Sequence, residues 1–148
     1  MKKSVVATVL VVAATVWAAD RGTPAEAKAM LGQAEAHIKA VGRKQAFADF
    51  NAGKKPFRDR DLYVVCISAD RIVVANGFVP QYVGRKANML TDYNGKLIGV
   101  AILDVANTKG EGTVEYVMLD PLTNALRPKT LFVKKIGTDA CGVGVYGK

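Results

Sequence analysis

The stretch DLYVVCISADRIVVANGFVPQYVG, residues 61–84, decides how this sequence folds. Asp61 to Ser68 is rich in β-branched and aromatic side chains with little polar interruption, the pattern of a strand buried on both faces. Ala69-Asp70 makes a tight turn into Arg71-Ile72-Val73-Val74-Ala75, so the two runs form a hairpin, which Asn76-Gly77 ends. From Phe78 to Lys96 the polarity is mixed and turn residues recur, including Gly84, Asn94 and Gly95. That segment reads as a long ordered excursion with at most a helical turn. Excursions of this length in small domains are often functional.

Upstream, Thr23-Pro24-Ala25-Glu26 has the form of a helix start, with Thr23 as cap, Pro24 at the first helical position and Glu26 completing a capping box. Ala27, Met30, Leu31, Ala34, Ile38 and Val41 then recur at helical spacing, and Gly42 stops the run. His37 lies beside that stripe as an ordinary helix-surface residue. A second short helix is expected over Lys44 to Phe50. Downstream, Leu97 to Thr108 has helical spacing, and three strands follow at Thr113 to Leu119, Pro128 to Ile136 and Cys141 to Tyr146. Five strands joined mostly by hairpins, with helices on the faces, describe an α+β domain on an antiparallel sheet.

The sequence has 148 residues, enough for one domain, and a formal charge of +8. Its first nineteen residues alter that total. Lys2 and Lys3 precede an apolar run from Val5 to Val16, and Val16-Trp17-Ala18 places permissive residues at a cleavage site. The run is shorter than the ~20 residues a bilayer span prefers. Residues 1–19 therefore read as a secretory signal cleaved after Ala18 or Ala19, with periplasmic delivery. The alternative is an uncleaved segment that anchors the protein. Cleavage leaves 19 basic against 13 acidic residues, a charge of +6.

Several classes of chemistry find little support. The basic pairs Arg43-Lys44, Lys54-Lys55, Arg85-Lys86 and Lys134-Lys135 are dispersed and lack aromatic stacking motifs, so nucleic acid is not expected as a partner. No Cys/His cluster suggests a metal, no cofactor motif is present, and no nucleophile–base grouping suggests an enzyme. Asp59 and Asp61 alternate with Arg58 and Arg60 in what reads as a solvated turn. Cys66 and Cys141 are compatible with one disulfide in an oxidising compartment, or with two separately buried thiols.

In order and spacing, residues 61–84, Gly110-Glu111-Gly112-Thr113-Val114-Glu115-Tyr116, Pro128-Lys129-Thr130-Leu131-Phe132-Val133 and Gly142-Val143-Gly144-Val145-Tyr146 resemble bacterial single Cache domains of the second type. The resemblance spans nearly all of residues 20–148. It implies a PAS-like five-stranded antiparallel sheet in order 2-1-5-4-3, a long N-terminal helix on one face and a small-ligand pocket on the other. It also implies an extracytoplasmic sensor of a short organic acid or similar anion, here free-standing, that serves a membrane receptor or kinase. The alternative is an interaction protein that docks on such a partner without its own ligand. In that strand order Cys66 and Cys141 could lie opposite each other. A disulfide there would close a loop of about 75 residues and add roughly 2–4 kcal/mol, whereas a one-residue slip would put the sulfurs on opposite faces.

If Cys66 faces the long helix, Tyr63, Val65 and Ile67 face away from it, together with Gly142, Gly144 and Tyr146. The two glycines would leave a hollow for a ligand, or else let the central helix pack closely. Carboxylate recognition needs fixed donors, and the candidates are Tyr63, Asn76, Arg85, Lys86, Tyr116 and Lys129. By resemblance, Tyr116 and Lys129 match a Tyr and a Lys that the family turns toward its pocket. Asn76 stands where the family often has His, which removes a titratable group.

Overall fold

The computed structural model describes residues 20–147. The expected signal segment, residues 1–19, lies outside the described residues. Helix α1 (Pro24–Val41) begins with the expected reciprocal cap: Thr23 Oγ1 accepts from the Glu26 N–H, and Glu26 Oε2 accepts from the Thr23 N–H. Its buried stripe is Ala27, Met30, Leu31, Ala34 and Ile38. Helix α2 (Arg43–Asn51) buries Ala46, Phe47 and Phe50. His37 does more than decorate the surface: it is half-buried, 4.8 Å from the Phe57 ring, and its Nε2 lies 2.7 Å from Asp49 Oδ2, tying α1 to α2.

Strands β1 (Arg58–Asp59), β2 (Leu62–Ile67) and β3 (Val73–Asn76) follow. The excursion then contributes two short 3-10 turns at Pro80–Tyr82 and Ala87–Met89. Helix α3 (Ile98–Lys109) and the long strands β4 (Glu111–Leu119), β5 (Leu126–Ile136) and β6 (Asp139–Tyr146) complete the fold. All strand pairs are antiparallel, on a path β1-β2-β6-β5-β4, with β3 also pairing with β2. The α+β class agrees with expectation. The extra strand β1 is a correction, because Arg58 and Asp59 pair with Tyr63 and Leu62 instead of forming a solvated turn. Asp61 is fully buried, and its Oδ1 accepts from the Gly22 N–H at 2.7 Å. The hairpin turn is also longer than expected. Arg71 adopts a positive φ of 64°, so β3 starts at Val73.

The sheet separates two apolar cores. On one face α1 and α2 cover Val64, Cys66, Val143 and Val145. On the other, α3 and the excursion cover Ile67, Leu131 and Val133. Cys66 and Cys141 are directly opposed on β2 and β6, fully buried in the first core, and joined by a disulfide. Among the described residues no helix is long and apolar enough to cross a membrane.

Candidate functional site

Strand alternation determines which side chains reach the second face. On β2, Val64 and Cys66 point to the helical pair, so Tyr63 and Val65 point toward α3. Across the long strands, Tyr116 is the partner of Lys129, and Lys129 is the partner of Tyr146. A row of two phenols and one ammonium therefore crosses β4, β5 and β6 on that face.

Lys129 is 2% exposed. Its Nζ donates to the Tyr63 hydroxyl at 3.0 Å and lies 4.2 Å and 4.4 Å from the ring centres of Tyr63 and Tyr146. Gly144 makes this placement possible: a Cβ added there would stand 2.5 Å from Lys129 Cε. A Cβ at Gly142 would stand 2.9 Å from the Leu131 side chain. The space above the two glycines is thus filled by the stems of Lys129 and Leu131. This corrects the expectation that the glycines themselves form the hollow.

The hollow lies above those stems, as a cavity of about 610 Å³ between the sheet, α3 and the excursion. Its floor includes Tyr63, Val65, Tyr116 and Leu131, and α3 contributes Ile98 and Ile102. Asn76, Phe78, Tyr82 and Leu90 close one side, and Arg58, Tyr93, Leu119 and Leu122 belong to the same wall. Among the described residues no carboxylate lines it.

The polar groups on the wall differ in how free they are. Asn76 Oδ1 accepts from the Phe78 and Val79 N–H groups at 3.1 Å and 2.7 Å, leaving Nδ2 without a partner among the described residues. The Tyr116 hydroxyl is likewise unpartnered among them, and burial pushes its phenol well above the usual range, so it stays a donor. Arg58 makes one long hydrogen bond, 3.5 Å to the Gly77 carbonyl, with its guanidinium 5.0 Å from the Phe78 ring centre. Phe78 in turn stacks on Tyr63, with centroids 5.4 Å apart. Arg60 is committed elsewhere, to Glu26, Asp59, Asp20 and the Arg21 carbonyl.

Of the six expected site residues, Tyr63, Asn76 and Tyr116 reach the cavity wall. Lys129 sits directly behind the wall, acting on the Tyr63 hydroxyl. Arg85 and Lys86 lie apart from it: both are exposed and neither lines the cavity. Backbone bonds from Val73 N–H to the Arg85 carbonyl and from Gly84 N–H to the Val73 carbonyl bind that segment along β3. Arg85 Nε is then taken up by the Gln81 carbonyl at 2.8 Å. The residue that the reading missed is Arg58. Its one signal was the charge alternation just ahead of the buried strand, which continues the strand's period of two.

The sequence matches the family model for Single Cache domain 2 over residues 1–145. The chain belongs to that family. Its fold is similar to the crystal structure of a methyl-accepting chemotaxis protein from Vibrio parahaemolyticus RIMD 2210633, at 22% identity and a TM-score of 0.67, over 82% of this chain and 86% of that one. It is also similar to the periplasmic sensor domain of a chemotaxis protein, at 20% identity and a TM-score of 0.62, over 82% and 88%. A third neighbour is a Cache chemosensory domain solved for carboxylic acid recognition, at 17% identity and a TM-score of 0.63, over 82% and 86%. No curated protein matches the sequence. Cache domains of this kind are extracytoplasmic sensors of ligands.

In this Cache domain the cavity mouth is tied to the start of α1. Tyr146 donates to the Leu119 carbonyl at 2.7 Å, and Arg21 pairs with buried Asp120 at the head of the β4–β5 turn. Burial pushes the Asp120 carboxyl up, but hydrogen bonds from Arg21, the Leu122 N–H and the Thr123 hydroxyl outweigh it and hold the group below its ordinary value.

Proposed function

We propose that this Cache domain is an exported sensor module that binds a small organic acid in the cavity beneath α3 and reports it to a membrane receptor or kinase. One observation carries the reading: among the described residues the cavity wall holds no carboxylate, and the buried ammonium of Lys129 stands behind it with a single hydrogen-bond partner. A buried cation without a counter-ion is costly, and an arriving anion offsets that cost. Lys129 donates to the Tyr63 oxygen, so the phenol's own proton is free to meet the ligand. A charge-assisted donor of this kind is stronger than a neutral one. Tyr116 and the Nδ2 of Asn76 supply two further donors, and Arg58 adds positive charge. Amines would meet like charge and no acceptor carboxylate.

The neighbour solved for carboxylic acid recognition supports the same class of ligand. Export is supported by Lys2, Lys3 and the apolar run that follows. The test is a thermal-shift panel of organic acids, amino acids and amines on the purified protein. Acids are expected to raise the melting temperature and matched amines to leave it unchanged. A panel in which no acid shifts the protein, or in which amines do so equally, contradicts the proposal.

A further inference from the structure

We infer that the acid carries an aryl body: the cavity is built for an aromatic monocarboxylate, an arylacetic or arylpropanoic acid, in preference to a short aliphatic one. This rests on the anion-binding reading above and adds the identity of the remainder of the ligand.

The first argument is volume. The cavity measures about 610 Å³. A cavity of this size is of the class that holds drug-sized ligands, and the ~5 non-hydrogen atoms of propionate fill a small part of it, less than half of what the ~11 of 3-phenylpropanoate fill. A short acid would leave most of the apolar wall against water or void, and both forgo the contacts that favour binding.

The second argument is where polarity lies. Donors gather around Tyr63, Tyr116 and Asn76, with Lys129 behind them. The rest of the wall is largely apolar, with Leu90, Ile98, Ile102, Met118 and Leu131, and Arg58, Arg60, Thr91 and Asn124 are among its remaining polar side chains. A ligand matching this wall has one anionic end and a bulky apolar remainder.

The third argument is shape. Phe78, Tyr82 and Tyr93 add rings to the two wall tyrosines, and the Phe78–Tyr63 pair is already stacked. Flat ligands gain stacking or edge contacts there beyond area burial. The rim also leaves large apolar groups uncovered: Tyr93 is 61% exposed, and Leu119 and Leu122 are about 40% exposed. A ligand body reaching the mouth would cover them.

The test is calorimetric titration of the purified protein with acetate, propionate, octanoate, phenylacetate, 3-phenylpropanoate and the neutral 3-phenylpropanamide. The expected order places 3-phenylpropanoate about tenfold or more tighter than propionate, with the amide at least tenfold weaker than its acid. Propionate or octanoate binding as tightly as the aryl acids overturns the aryl inference while leaving organic-acid binding intact. Failure of every acid, or equal binding of the amide, overturns the anion-binding reading and this inference with it.

Discussion

Lys129 combines burial with incomplete hydrogen bonding, and Gly144 is what permits it to lie flat on the sheet. Gly144→Ala puts a methyl group against the lysine stem. The expected outcome is a stability loss of roughly 1–3 kcal/mol by thermal denaturation, and loss of acid binding as the ammonium leaves Tyr63. Unchanged binding would mean that the ammonium's position is immaterial. The face of Tyr63 was legible at this scale because strands alternate, and alternation assigns a face before any contact is known; Asn76, Tyr116 and Lys129 were matched to positions of the family. The placement of Arg85 and Lys86 was not legible. Their direction follows from backbone bonds between the excursion and β3, a long-range pairing with no period in the sequence. Arg58 was missed because charge beside a turn ordinarily means solvent, and only the pairing of β1 with β2 brings it to the wall.

At the scale of elements, each helix and long strand was visible within a few residues, since each carries a cap, a period or a turn residue at its ends. The short β1 and the delayed start of β3 were not visible, because two-residue pairing and the positive φ of Arg71 leave no pattern. The register of β2 against β6 was also open, and it determines whether Cys66 meets Cys141. They do meet, 75 positions apart in the sequence. Replacing both, as Cys66→Ala with Cys141→Ala, is expected to lower stability by roughly 2–4 kcal/mol in denaturant titrations. A variant as stable as the wild type would show that sheet pairing alone fixes β2 against β6.

The molecule as a whole is basic, yet several of its acidic groups are held in ion pairs. Glu26 is held at about 2, against an ordinary 4.5, chiefly by its hydrogen bond from Arg60 and then by the Thr23 cap. Glu35 is held low by Lys134 and Lys39, and Asp59 by Arg60. Each such group binds protons more weakly folded than unfolded. The stability it contributes is full above its unfolded value and is lost as pH falls through the folded one. Melting temperature should therefore decline from about pH 4.5 toward pH 2, and high salt should blunt the decline because these pairs are exposed. A flat profile over that range would contradict the paired arrangement. The central proposal concerns function: that a cavity lined by no carboxylate among the described residues, and backed by a buried ammonium, takes up organic acids. Its most direct measurement compares calorimetric acid binding by the wild type and by Lys129→Met, a near-isosteric change that removes the charge and is expected to leave stability equal or higher. The account predicts saturable binding to the wild type, weakened at least about tenfold in the variant. Equal affinity in a folded Lys129→Met protein would contradict it.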